Sequence, residues 1–430
     1  MGMHHQHGAA VPQRTRHVVA GFAIVLALLT VAGLATLWPG PVDRSAARSL
    51  GLESDVYAAH VVHVTSGPCA HTTPEQGVIC QQVRFRLDQG PDEGDTRRQE
   101  FPRSASTPHF AVGDDIVLYY QPNADRGFQY SFADRQRRQP LLGLLLLFAG
   151  AVVLLGRWRG FASLIGLGAS IAVIIVFVLP ALLTGESPLL VATFGASAIA
   201  FLALYVAHGF RTMTSVALLG TLGALALTIG LAYLFTELTQ LSGYASEESF
   251  IVQLGTKHLD IQGLVLAGMV LGALGAVDDV TVTQASAVWE LREAEPNISR
   301  LAVYRAGLRI GRDHVASTVN TLALAYAGAS LPLLIVFVLS DQSLGTVANS
   351  EVVATEIVRT LVGSIGLVSA VPVTTWLAAQ LAPGGEPRNP PVSRREAPSQ
   401  DPQPEQAAAR DEPPSAVPSL EDEFWNSDWR

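Results

Sequence analysis

Eight apolar runs constrain what this chain can become. They cover residues 18–38, 140–155, 161–183, 188–207, 215–235, 261–282, 315–339 and 357–381. About 20 apolar residues of helix cross a bilayer core, where every backbone polar group must find its partner within the protein. The runs therefore predict an α-helical polytopic membrane protein of about eight transmembrane helices. Charge agrees with this. Only 15% of the residues are charged, against roughly 25% in soluble chains, and they gather between the runs. The first run follows Arg14 and Arg16 and is longer than the apolar stretch of a cleaved leader, so it reads as an uncleaved signal anchor.

Loop charge gives the expected orientation. Segments holding Arg157 and Arg159, Arg211, and the arginines from Arg292 to Arg312 are short and basic. The alternate segments, 184–187, 236–260 and 340–356, carry acidic residues and the single lysine, Lys257. The positive-inside rule then places both termini in the cytoplasm. Arg135, Arg137 and Arg138 lie on the outer side, but a folded domain translocates largely regardless of charge. An arginine-for-lysine bias of this kind fits a GC-rich bacterial genome, so the expected location is a bacterial cytoplasmic (inner) membrane. The predicted organisation is a cytoplasmic N-terminus (1–17), helix 18–38, an extracytoplasmic β-rich domain (51–138), a seven-helix transmembrane domain (140–381) and a disordered acidic Pro-rich cytoplasmic tail (383–430).

The segment 51–138 differs in texture. Residues 56–64, 81–87 and 115–121 are rich in β-branched and aromatic residues, with alternation clear in Val83-Arg84-Phe85-Arg86-Leu87. Gly67-Pro68, Gly90-Pro91 and Gly113-Asp114 mark turns, which predicts a small β-barrel-like or sandwich domain. Its cysteines, Cys69 and Cys80, are the only two in the chain; outside the membrane they are expected to form a disulfide, with a thiolate metal site including His71 as the rival. The tail, with almost no aliphatic residues, cannot bury enough surface to fold. Its acidic–aromatic end, from Glu421 to Arg430, either docks a protein partner or is simply solvated.

Much chemistry is absent. No phosphate loop, zinc-protease helix or nucleophile elbow occurs, no basic patch with interleaved aromatics points to nucleic acid, and nothing calls for a cofactor. At the start, Gly2, His4, His5 and His7 offer either a square-planar Cu(II) or Ni(II) ligand set or a plain His-rich end.

The informative stretch is 261–328. Gly268, Gly272, Gly275, Asp279, Thr283, Ser286 and Glu290 follow at steps of three or four, which puts them on one helix face. The three glycines are expected to admit a neighbouring helix. Asp313, Ser317 and Asn320 form a similar stripe on the next run. Carboxylates are costly in hydrocarbon and normally face a bundle interior, a cavity or a partner. If the two stripes met, their oxygens would suit H⁺, Na⁺ or another hard cation. The opposing reading is structural: Asp278, Asp279 and Asp313 sit just outside the hydrocarbon, and the hydroxyls bond their own helices.

These residues also carry a family resemblance. Leu266-Ala267-Gly268, the block from Gly272 to Val280, Ser286-Ala287, Glu290, Gly311-Arg312-Asp313 and the block from Asn320 to Tyr326 resemble the YibE/F-like family of bacterial membrane proteins. Upstream, Gly113-Asp114, Arg135 and the Gly156-Arg157…Gly160 turn fit as well, so the resemblance runs from Val56 to Phe337. It implies a multispan inner-membrane protein with a small barrel-like outer domain, and no settled activity. Asp278 departs from the pattern, where an apolar residue is expected. Three readings follow: a secondary transporter for an ion or small solute working between the sixth and seventh spans, a non-transporting envelope scaffold presenting the β domain, and an intramembrane enzyme without a familiar motif.

Overall fold

A computed structural model describes residues 12–42, 45, 55–69, 79–104, 107–125, 127–245, 247–256 and 259–383. The N-terminal histidines, His71, Lys257 and the acidic tail, including its expected partner site, lie outside the described residues.

The predicted β domain is a five-stranded antiparallel sheet in the order β3-β2-β1-β4-β5. The strands are β1 (Asp55–Pro68), β2 (Ile79–Leu87), β3 (Thr96–Pro102), β4 (Asp115–Tyr120) and β5 (Tyr130–Arg135). Alternation dictates the inner face: Ala59, Val61, Val83, Phe85, Leu87, Ile116 and Leu118 are each at most 1% exposed. Three of the strands were legible in the sequence. The other two, β3 and β5, are edges whose polar composition hides the apolar alternation. These edges curl toward each other, and the Phe132 amide donates to the Gln99 side chain across the gap at 3.2 Å. Phe101, Phe110 and Phe132 fill that seam with ring centroids 4.6 to 5.8 Å apart. The result is a half-barrel closed by side chains. At the Gly90 turn, φ is +104° and a Cβ would meet the Tyr57 ring at 2.9 Å, so only glycine serves.

Cys69 and Cys80 are bonded to each other, as expected of a disulfide rather than a thiolate metal site. Tyr130 donates to the Asp92 carboxylate at 3.1 Å. Burial, reinforced by that bond, pushes its phenol up from 10.0 to about 12.

Six described helices are long and apolar enough to cross a membrane, and a bent helix pair makes a seventh. They are α1 (Gln13–Thr36), α2 (Arg138–Val173, running through a π turn at Ile174–Val178 into α3, Leu179–Leu183), α4 (Pro188–His208), α5 (Thr212–Leu238), α7 (Ile261–Ala294) and α11 (Glu351–Leu381). The bent pair is α8 (Arg300–Ala329) and α9 (Leu331–Leu339), inclined by 61°. Two short helices, α6 (Glu247–Gly255) and α10 (Leu344–Asn349), complete the order. The predicted seventh run, 315–339, is thus shifted. Its helix starts at Arg300, capped by Ser299, and breaks before Pro332, whose ring cannot continue the ladder. Within α2, Arg157 has φ 51° and ψ −131°. Gly160 there presses on the Val152 carbonyl, although eight helical residues span about 12 Å. The chain therefore folds back on itself at this point.

Four helices knit the bundle, and glycine sets how closely they approach. Positions opened by Gly220 and Gly366 are filled by the side chains of Thr374 and Thr228. Gly307 faces the Thr375 methyl, 2.7 Å from where its Cβ would lie, and Gly311 faces Val371 and Gln284. Thr375 turns its methyl to Gly307, whereas Thr228 and Thr374 set their hydroxyls nearest Gly366 and Gly220. Thr228 bonds the Ala224 carbonyl at 2.9 Å, and the buried Thr374 hydroxyl has no hydrogen-bond partner. At the other end Glu351 accepts from the Ser242 and Gly243 amides at 2.7 and 2.6 Å, fastening a loop onto α11.

Four outcomes test this account. Gly307→Ala or Gly311→Ala is expected to destabilise the bundle by about 1–3 kcal/mol through overpacking. Gly275→Ala, where nothing lies within 4 Å, should leave the melting temperature in detergent unchanged or slightly raised. Cys80→Ser removes a link across 11 residues of sequence and should cost the β domain about 3 kcal/mol, seen as earlier proteolysis there. The neutral Tyr130 phenol contributes stability fully below pH 10 and loses it as pH approaches about 12; Tyr130→Phe should flatten that alkaline fall in near-ultraviolet circular dichroism.

Candidate polar site between the transmembrane helices

A helix needs satisfied polar groups wherever it is dry, and α7 carries polar side chains at three levels. Gln284 marks one end. Only 3% exposed, it donates to the Gly307 carbonyl and to Thr375 Oγ1, both at 2.7 Å, and so ties α7 to α8 and α11. Such a cross-link leaves its amide with little freedom.

The middle level has unspent capacity. Thr281 and Thr221, both 0% exposed, lie with their hydroxyls 2.6 Å apart and join α7 to α5. Thr281 also donates to the Asp278 carbonyl at 2.9 Å. Beside them sits the Asp278 carboxylate, with the Thr221 side chain against it, and its Oδ1 is buried without a hydrogen-bond partner. An oxygen left so is costly unless a proton or cation joins it. Asp278 lies 17 residues from the start of α7, roughly 25 Å along a helix of about 51 Å. Its neighbour Asp279 points the other way. The Asp279 carboxylate is 71% exposed and lies 3.9 Å from His314 Nε2, itself a buried nitrogen without a partner. One water or a small movement spans that gap.

The third level is near Gly268 and Gly272. The Tyr326 hydroxyl stands 2.7 Å from where a Gly272 Cβ would be, and the Arg359 guanidinium 3.8 Å from that of Gly268. Arg359 pairs with Glu356 at 2.7 Å, and Tyr326 and Glu356 line a mostly apolar cleft of about 280 Å³. These glycines make room for polar side chains instead of a neighbouring helix backbone, and Gly275 faces open space.

The predicted stripes land elsewhere on their helices. Asp279, Thr283 and Glu290 are exposed, and the Thr283 hydroxyl bonds the Asp279 carbonyl at 2.8 Å. Ser286 is half-buried and reaches Met213 Sδ at 3.6 Å. Asp313, Ser317 and Asn320 are all exposed. The inner face of α8 is instead Gly307, Gly311, His314 and Thr318, at steps of four, three and four. Of the two stripes, only Asp279 and the residue beside Asp313, His314, are brought together. Sequence reasoning missed Thr221, Thr281, Gln284 and His314. The signal that would have found His314 was the Gly307–Gly311 spacing, because small residues mark the face that packs. Among the described residues, no three His, Cys, Asp or Glu side chains group as a metal set.

Comparison with known proteins fits this architecture. No curated protein and no solved structure matches the chain. A protein-family match covers residues 144–384, beginning after the β domain and including every helix described in the site. The family is described as YibE/F-like protein, and with more than half its length matched, this chain, a multi-pass membrane protein by its helices, belongs to that family.

Proposed function

We propose that the protein is a secondary transporter that couples a proton or Na⁺ to movement of a small solute, with Asp278, Asp279 and His314 as its ion site. The observation that carries this reading is the buried Asp278 Oδ1, which has no partner near the middle of a membrane-spanning helix. Intramembrane carboxylates of this kind mark ion and proton paths. Polar groups from Gly268 to Gln284 extend along roughly 24 Å of α7, which supports a path rather than an isolated site. Asp279 and His314 form its exposed step, and Asp278 with Thr221 and Thr281 the enclosed one.

The same proposal covers topology and location. Counting the fold-back at Arg157 as a loop between two spans and α8–α9 as one span gives eight crossings. Arg16, Arg159 and Arg211 line cavities at one end of the bundle, which supports placing that end, and both termini, in the cytoplasm of a bacterial cell. The β half-barrel is then extracytoplasmic, where its disulfide is chemically at home.

The test is flux into proteoliposomes of the full chain, driven by a proton or sodium gradient and read by an internal pH indicator or sodium dye. Asp278→Asn is expected to lower flux at least tenfold, and Asp279→Asn and His314→Gln to lower it less. Unchanged flux in Asp278→Asn removes the site. No flux by the wild-type chain under either gradient removes transport altogether and leaves the envelope-scaffold reading, in which deletion of residues 55–135 abolishes function while the aspartate variants retain it.

A further inference from the structure

The turn between α4 and α5 separates two cavities that share Arg211. One, about 390 Å³, is a groove along α1 floored by Phe201 and Tyr205 and walled by Ala20, Ala23 and Ala27. Its mouth is cationic, with Arg16 on one side and Arg211 on the other. The second, about 480 Å³, is lined by Arg159, His208, Arg211 and Ser286. Arg159 and Arg211 are close enough to act electrostatically on the His208 ring. Neither lining contains a carboxylate. Among the described residues, no ion pair or side-chain hydrogen bond engages Arg16, Arg159 or Arg211. Like charges gathered around a void, with no counter-charge of the protein's own, repel one another and call for an anion.

We infer that these adjacent cavities, which meet at Arg211, bind one anionic phospholipid, its acyl chain in the alanine-walled groove of α1 and its phosphate between Arg16, Arg211 and Arg159. The pairing of an apolar slot with a cationic mouth is what selects a lipid over a free anion. A dissolved phosphate has no use for the groove, and an uncharged lipid none for the arginines. Basic pockets between membrane helices recognise anionic headgroups in this way, each arginine supplying about fivefold in affinity. Because Arg211 belongs to both cavities, the site bridges α1, α2, α4 and α5 and touches α7 at Ser286. It uses none of the residues of the proposed ion site.

Binding is measured on the full chain, purified and stripped of lipid in an uncharged detergent. Phosphatidylglycerol and phosphatidylcholine of matched acyl chains serve as probes, with native mass spectrometry counting bound molecules. Phosphatidylglycerol should bind at least tenfold more tightly than phosphatidylcholine. Arg16→Gln combined with Arg211→Gln should weaken phosphatidylglycerol about twenty-five-fold and erase the preference, while the Arg→Lys pair retains most of it. Ala20→Phe, which fills the groove and leaves every charge in place, should weaken both lipids. Equal binding of the two lipids overturns the inference, as does a preference that survives the double glutamine variant. Inorganic phosphate displacing phosphatidylglycerol at equal concentration, or undiminished binding by Ala20→Phe, overturns the lipid assignment in favour of a free-anion pocket.

Discussion

The bundle depends on glycine notches that seat threonine side chains along α11. Gly220 and Gly366 receive Thr374 and Thr228, and Gly307 receives Thr375. In hydrocarbon, lipid is as apolar as any leucine, so burial alone does not draw helices together, and close packing has to. A glycine opens space for a neighbour. A threonine fills it, and Thr228 and Thr375 return their hydroxyls to their own helices, Thr375 to the Val371 carbonyl at 2.5 Å. The contact is tight, and the buried Thr374 hydroxyl alone of these three is left without a hydrogen-bond partner. Everything polar in the site hangs from this frame, because Gln284 and Thr281 face the same neighbours across the same distances.

That frame explains why Asp278 matters. Its helix is held from two sides, by Thr221–Thr281 toward α5 and by Gln284 toward α8 and α11. A carboxylate fixed between such supports cannot swing out to water as a surface aspartate does, and its orphaned oxygen is a consequence of position. Asp279, one residue on, is turned by about 100° and lies in the open beside His314. Adjacent residues of like chemistry thus have unlike surroundings, and the pair spans the boundary between enclosed and accessible space.

Legibility in the sequence followed the strength of the local signal. The central strands of the half-barrel announce themselves by alternation, and the disulfide by its two cysteines being the only ones in the chain. The edge strands β3 and β5 do not, since edges are kept polar. The helix stripe from Gly268 to Glu290 is real as a face, yet that face is turned outward and roofed in part by Tyr326 and Arg359. Spacing tells which residues share a side; it cannot tell which side meets a neighbour. On α8 the expected stripe of Asp313, Ser317 and Asn320 was one residue out of step with the packed face of Gly307, Gly311 and His314.

The sequence by itself determined that this chain crosses a membrane repeatedly, carries a separate β module and concentrates its polar residues on two successive helices. Those properties are local, set by run length, by period and by backbone groups that hydrocarbon will not solvate. Only the tertiary structure decided which carboxylate is enclosed, which glycines are filled, and that Arg16, Arg159 and Arg211 share a pair of cavities though far apart in the chain. The reason is that helix rotation about its own axis is fixed by contacts between distant segments. A turn of one residue, about 100°, exchanges an enclosed carboxylate for an exposed one.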